Sequence, residues 1–256
     1  MMETPNSYGK DNLSNELFKR LSDFIYAECG IKMPPAKKTM LEARLGKRLK
    51  ATGLSSYHDY CNYLFSPDGT ANELTHMIDV VTTNKTDFFR EPQHFDYLVN
   101  TAIPTLIHTS GAGMRRNLML WSAACSSGEE PYTLAMVLEE FAARVSGFSF
   151  LILATDISTR MVEAGRRAIY PEERVAPVPM ELRRKYLLRS RDPARKEVRI
   201  VPSLRERVKF RRLNFLDDDF GFREKMDIIF CRNVLIYFDK PTQHKVVTHL
   251  CQHLAP

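Results

Sequence analysis

Three short apolar runs, NLMLWSA (117–123), SFLILATDI (149–157) and MDIIFCRN (226–233), constrain this chain more than anything else in it. Each is followed by a stretch of helical periodicity: PYTLAMVLEEFAARV (131–145), STRMVEAGRRAIY (158–170) and KPTQHKVVTHLCQHL (240–254). Apolar runs this short suit strands buried on both faces. Strands that alternate with amphipathic helices are joined by crossovers, which makes the sheet parallel. The rhythm therefore predicts an α/β fold of the doubly wound type, in which ligands sit beyond the C-terminal ends of the strands.

Two regions depart from that rhythm. Residues 1–81 carry helical patterns only. LSNELFKRLSDFIYAEC places Leu17, Leu21, Phe24 and Ile25 at helical spacing before Gly30, and AKKTMLEARLGKRLKATG places Met40, Leu41, Leu45 and Leu49 on one face before Gly53. SYHDYCNYLF and NELTHMIDVV are two shorter helical patterns, so a helical domain over 1–81 is expected. Residues 82–256 form the second domain, opened by a linking segment at 82–116. Within it KYLLRS, EVRIV and VKFRRLNF surround the turn DPAR and read as a small antiparallel insertion over 185–213. Such an insertion is free to vary without touching the main sheet.

Charge is concentrated rather than spread. The net charge is +6, yet residues 161–212 alone hold 16 Lys and Arg against 7 Asp and Glu. That marks one basic surface, with few aromatics interleaved to stack bases. No window approaches the roughly 18 apolar residues of a membrane span. The N-terminal MMETPNSYGKDN has no signal-peptide pattern, and five scattered cysteines in no C-x-x-C arrangement read as reduced thiols. A cytoplasmic monomer is expected.

The loop WSAACSSGEEPYTLA (121–135) is the chemical centre of the sequence. Pro131 fits the first helical position, which leaves Ala124 to Glu130 at a strand end. Small residues there admit a ligand close to the backbone, but two glutamates would repel phosphate. Ser127 and Glu130 also satisfy the Ser-x-x-Glu capping box, and that reading stays open. Asp156 ends the next strand, where an acid commonly holds ribose hydroxyls, and it too has a helix-cap reading. Neither G-x-G-x-x-G nor G-x-x-x-x-G-K-[ST] occurs, which disfavours dinucleotides and nucleoside triphosphates. A nucleoside with a cationic tail and no phosphate suits two acids better, and S-adenosylmethionine is such a molecule.

Four segments, TTNKTDFFRE (82–91), WSAACSSGEEPYTLA (121–135), ATDIS (154–158) and IFCRNVLIYFDK (229–240), resemble in order the signature segments of the CheR family of chemotaxis-receptor glutamate methyltransferases. The resemblance implies a Rossmann-like S-adenosylmethionine-dependent methyltransferase sheet with an N-terminal helical domain and a small antiparallel β insertion. It implies methyl transfer to glutamate carboxylates of chemotaxis receptors, giving methyl esters in sensory adaptation, with S-adenosylhomocysteine as the other product. By position it assigns Asn84, Thr86, Arg90, Glu130, Asp156, Asn214, Phe215, Arg232 and Asn233 to the cofactor, and Arg90 and Tyr237 to the active centre. Phe215 stands where the family has an aliphatic residue. The family's sheet continues with further strands, whereas this sequence ends at HLAP, so those strands are expected to be missing. The insertion RSRDPARKEVRI lacks the glycines of the version that binds a receptor tail, so no tail requirement is expected.

The chemistry is consistent with these residues. A glutamate carboxylate, with a pKa near ~4.3, is already the nucleophile at neutral pH, so no Ser–His or Cys–His pair is needed. A guanidinium such as Arg90 can grip it bidentately. Receptor docking is expected from Arg44, Lys47 and Arg48 on the helix AKKTMLEARLGKRLK, and from Arg195, Lys196 and Arg199 in the insertion. His249 and His253 have metal-like i, i+4 spacing but no third ligand type, and no metal is expected. Nucleic-acid methylation and non-catalytic cofactor binding are the competing functions; no stable nucleic-acid complex and no membrane insertion are expected.

Overall fold

The computed structural model describes residues 12–256 apart from residue 193. They divide into two compact units: residues up to 83 together with 236–243, and residues 84–235 together with 244–256.

The first unit is helical, with α1 (Asn15–Cys29), α2 (Lys38–Thr52), α3 (Tyr57–Leu64), α4 (Pro67–Asn72) and α5 (Leu74–Val81). Ser14 caps α1 by accepting from the Leu17 N–H, and Gly30 ends it at φ 71°. The buried face of α1 is Phe18, Leu21, Ile25 and Cys29, turned slightly from the expected stripe, with Leu17 and Phe24 half-buried. In α2, Leu41, Leu45 and Leu49 are buried as their spacing demands.

Polar ties complete this unit. The Arg48 guanidinium donates twice to Glu73, at 2.7 Å each, and the Tyr60 hydroxyl donates to the same carboxylate at 2.8 Å. Arg44 donates to the carbonyls of Val81 and Thr82 at the end of α5 and to the Thr83 hydroxyl. Lys47 is exposed. The returning segment 236–243 is held by the Tyr26 hydroxyl, which donates to Asp239 at 2.8 Å, and by the Lys32 N–H, which donates to the Tyr237 carbonyl at 3.0 Å.

The second unit opens with a continuous helical stretch, α6 (Gln93–Tyr97), a π turn (Leu98–Ala102) and α7 (Ile103–Ser110), within the segment expected to be a linker. Then follow β1 (Leu118–Ala123), α8 (Glu129–Ala142), β2 (Phe150–Asp156), α9 (Thr159–Arg167), β3 (Ile169–Pro171), α10 (Met180–Tyr186), β4 (Leu187–Arg189), β5 (Glu197–Ile200), α11 (Pro202–Arg207), β6 (Val208–Arg212), β7 (Ile228–Cys231) and α12 (Lys240–Cys251). The main sheet is parallel, in the order β6-β2-β1-β7. Its centre is buried on both faces: Leu118, Leu120, Trp121, Phe150, Ile152 and Ala154 are all fully covered.

A second, antiparallel sheet has the order β3-β5-β4. Its membership corrects the expected insertion. VKFRR is β6, paired parallel to β2 from Ile152↔Val208 to Asp156↔Arg212. Val208 and Phe210 are buried and alternate with exposed Lys209 and Arg211, a pattern that an edge strand shows beside either kind of partner. The strand that replaces it is Ile169–Pro171, read from sequence as the end of a helix; α9 stops at Ala168, which adopts φ 55°. His249 and His253 stack on Phe220, with centroids 4.0 and 5.2 Å away.

Candidate active site

Because β6, β2, β1 and β7 run parallel, their C-terminal ends share one edge of the sheet. Ala123 is level with Thr155 and Cys231, and Asp156 with Arg212. The loop to α8, the acid Asp156, the pair Asn214–Phe215 and the pair Arg232–Asn233 all leave from that edge.

The loop is built from unusual backbone. Ala124 and Ser126 have φ of 64° and 49°, and Gly128 has φ 100°. Among the described residues six non-glycine residues have positive φ, and five of them (Phe89, Glu91, Ala124, Ser126 and Asn233) belong to the segments named here. Such conformations cost on the order of 1–3 kcal/mol each and persist only where surrounding contacts impose them. The contacts are visible. The Ser126 N–H donates to Asp156 Oδ2 at 2.8 Å, and the Cys125 N–H to the Thr155 carbonyl at 2.9 Å. The Ser158 N–H donates to Asp156 Oδ1 at 2.9 Å.

Pro131 is the third residue of α8, not the first. No hydrogen bond is lost, because the first N–H groups of a helix have no intrahelical acceptor. The capping box does not form: Gly128 precedes the helix, and the Ser127 hydroxyl donates to Glu129 at 2.7 Å. Glu130 is thereby free to turn to the strand end. Its Oε1 accepts from the Ser122 hydroxyl at 2.7 Å and its Oε2 from Arg232 Nη1 at 3.1 Å. Burial pushes the Glu130 carboxyl above the usual carboxylate range, although Ser122 and Arg232 oppose the rise.

Arg232 is the hub. Its side chain is only 12% exposed. It donates to Glu130, to Glu91 at 3.0 Å and to the Arg90 carbonyl, and lies 5.5 Å from the centre of the Phe95 ring. Its Nε is buried with no acceptor among the described residues. Asn233 donates to the other Glu91 oxygen at 3.3 Å. The segment carrying Asn84, Thr86 and Arg90 is fastened to the same place: Ser126 Oγ donates to the Asn84 carbonyl at 3.1 Å, and the Phe89 N–H to Thr133 Oγ1 at 3.1 Å. Thr86 is buried. Arg90 stands between two left-handed residues with its side chain 34% exposed. It donates to the Lys85 carbonyl at 3.3 Å and lies 3.9 Å from Glu91; its other guanidinium N–H groups have no partner among the described residues.

The remaining assignments fall as follows. Asn214 Oδ1 accepts from the Leu216 N–H at 3.1 Å, and Phe215 is buried. Tyr237 belongs to the helical unit, where Lys37 Nζ lies 5.7 Å from its ring centre, as do Arg44, Lys47 and Arg48. Arg195, Lys196 and Arg199 are exposed on the antiparallel sheet and its turn. Sequence reasoning counted Glu129 only as one of the two loop acids, and missed Ser122, Glu91 and Arg174. A serine inside the apolar run LMLWSA was the visible signal among these three.

Chemically, the site offers two carboxylates to a ligand. Among the described residues each oxygen of Glu130 accepts one hydrogen bond and keeps a lone pair for a hydroxyl or an ammonium, and Asp156 presents a second carboxylate that accepts from the Ser126 and Ser158 N–H groups. The side chains around them are small, and this pair of acids fits a nucleoside with a cationic tail. The nearby thiols are not nucleophiles: burial pushes Cys231 up to about 12 and Cys125 well above its ordinary value.

Comparison with known proteins agrees with this geometry. Residues 84–256 match the family model described as CheR methyltransferase, SAM binding domain, and residues 16–82 that described as CheR methyltransferase, all-alpha domain. The chain is 39% identical to a chemotaxis protein methyltransferase of Borreliella burgdorferi, over 95% of this chain and 85% of that protein. It is 36% identical to chemotaxis protein methyltransferase 2 of Pseudomonas aeruginosa, over 95% and 83% respectively. The Escherichia coli chemotaxis protein methyltransferase is 35% identical, over 95% and 82%. Among solved structures, a magnesium protoporphyrin IX methyltransferase from Synechocystis with bound SAM matches 75% of this chain and 69% of its own, at 15% identity and a TM-score of 0.35, too distant to argue from. A parallel sheet with carboxylates at its strand ends, an all-helical unit before it and both family matches lead to one conclusion: this chain belongs to the CheR methyltransferase family and is an S-adenosylmethionine-dependent enzyme.

Proposed function

We propose that this enzyme methylates glutamate side chains on the cytoplasmic helices of chemotaxis receptors. The observation that carries the reading is Arg90, a partly exposed guanidinium with unspent donors, held between two left-handed residues and close enough to Glu130 to act on its charge. When bound, S-adenosylmethionine supplies an electrophilic methyl group on a sulfonium. Glu130 would hold its ammonium and Asp156 its ribose hydroxyls. Arg232 keeps Glu130 aimed. Asn84, Thr86, Asn214, Phe215 and Asn233 complete the cofactor's surroundings on this reading. The acceptor carboxylate needs aiming and a dry site rather than a base, and Arg90 gives it a bidentate grip. Tyr237 is assigned to the active centre through the family resemblance. The exposed charges of Lys47, Arg195, Lys196 and Arg199 suit acidic receptor helices, and among the described residues no helix is long and apolar enough to cross a membrane.

Incubation with labelled S-adenosylmethionine and membranes carrying the native receptors tests the proposal. Label released from protein by mild alkali is the expected result. Base-stable label, or label on nucleic acid, contradicts it. Normal transfer by both Arg90→Ala and Tyr237→Phe would remove those residues from the active centre.

A further inference from the structure

Glu129 is as notable as its neighbour. It is fully buried and both its carboxylate oxygens are taken. Oε2 accepts from Ser127 Oγ at 2.7 Å, and Oε1 from Arg174 Nη2 at 2.6 Å. Arg174 lies in the 3-10 turn Glu172–Val175, directly after β3. That turn is anchored by buried Val175 and Val178, and by the Glu172 N–H, which donates to the Lys196 carbonyl at 2.9 Å. Tyr170, in β3 itself, donates from its hydroxyl to the Ser127 carbonyl at 2.8 Å. The same oxygen lies 2.9 Å from where a Cβ on Gly128 would sit. Two side chains, one from β3 and one from the turn that follows it, thus grip Ser127 and Glu129, on either side of Gly128 at φ 100° and next to Ser126 at φ 49°. Neither grip touches Glu130 or Asp156.

We propose that Tyr170 and Arg174 are positioning residues for the cofactor, holding the 126–130 loop in its strained, ligand-ready form and making the antiparallel sheet a support of S-adenosylmethionine affinity. The inference rests on the assignment of that loop to the cofactor. A buried carboxylate left without its arginine is costly, and the loop can relieve the cost by swinging Glu129 toward water. That movement would carry Ser126 and Glu130 with it. Burial already pushes the Glu129 carboxyl above its ordinary range, with Ser127 and Arg174 opposing the rise. A neutral amide at 129 would remove the need for the guanidinium.

The test is calorimetric titration of S-adenosylhomocysteine into the whole chain. Arg174→Ala should weaken binding about tenfold or more and Tyr170→Phe about threefold, as for partners within one coupled network. Glu129→Gln placed in the Arg174→Ala background should recover most of the loss, because the stranded charge is gone. In turnover, KM for S-adenosylmethionine should rise while kcat at saturation stays within about twofold. Wild-type affinity in Arg174→Ala and Tyr170→Phe overturns the inference, as does a double variant no better than Arg174→Ala. Should Arg174→Ala fail to fold, wild-type affinity in both Arg174→Lys and Tyr170→Phe overturns it. Asp156→Ala, run alongside, separates the two readings: normal binding there rejects the cofactor site itself, whereas weakened binding there with normal Arg174 and Tyr170 variants rejects only this inference.

Discussion

Glu73 and Glu130 are both mostly buried carboxylates held by an arginine, one in each unit, and they are built for different ends. Glu73 receives two donors from Arg48 and one from Tyr60. Arg48 and Tyr60 lie on ordinary helices and Glu73 at the junction of α4 and α5, and no described residue of that unit other than glycine has a positive φ. Glu130 shares its arginine with Glu91 and a carbonyl, and stands among five left-handed residues. The first pair closes a fold. The second leaves lone pairs and a strained backbone, which the proposed cofactor would use. An Arg–Glu pair is therefore no mark of function by itself; its spare valence and its backbone setting are.

The largest effect expected from this contrast is on stability. Arg48→Ala strands a carboxylate that is 3% exposed, and should destabilise the helical unit by about 3–5 kcal/mol. Urea unfolding or hydrogen exchange of that unit measures it. The same fact limits any docking test: reversing Arg44 and Arg48 would break their ties to Val81, Thr82 and Glu73. Receptor docking by α2 is better probed at Lys47, which is exposed.

Next in size, Asp156→Ala should leave the fold intact and weaken S-adenosylhomocysteine by about 1.5–3 kcal/mol, the range for hydrogen bonds to a charged group. An unchanged binding isotherm would remove Asp156 from the site. A smaller, pH-dependent effect follows from the raised Glu130 carboxyl. On the proposed reading its ionised form holds an ammonium, so affinity should fall on acidification, and at higher pH than an ordinary carboxylate would titrate. Stability has the opposite sign. The folded pKa lies above the unfolded one, so the folded chain binds more protons in that window and acidification through it stabilises the fold. Titration calorimetry across a pH series should show the falling limb in wild type and none in Glu130→Gln.

The smallest effect belongs to the exposed basic sheet. Charge reversal at Arg195, Lys196 and Arg199 should raise KM for receptor, change kcat little and flatten the salt dependence of kcat/KM, because steering is screened over about 8 Å at physiological salt. Wild-type behaviour across a salt series would reduce this charge to solubility.

Much of this was legible in the sequence, for identifiable reasons. The strands β1, β2 and β7 are short apolar runs that only a doubly buried sheet accommodates, and Asp156 ends one of them. Helix stops at Gly30 and Gly53 followed from the residues that tolerate positive φ. What failed needed tertiary information. The alternation in VKFRR is the same whether an edge strand pairs parallel or antiparallel, so its sheet was misassigned. Ile169–Pro171 was hidden because helical periodicity continued past the left-handed Ala168. Glu129 and Arg174, 45 residues apart, give no local sign of pairing. Nor does any local pattern show that Tyr170 and Arg174 tie the antiparallel sheet and its following turn to the 126–130 loop.

The most direct test of the contrast is one titration series: S-adenosylhomocysteine into wild type and Glu130→Gln, with the unfolding free energy of each. The account predicts that Glu130→Gln keeps its stability and loses affinity by about 1.5–3 kcal/mol. Wild-type affinity in Glu130→Gln, with or without a loss of stability, would make Glu130 a structural residue like Glu73 and contradict the account.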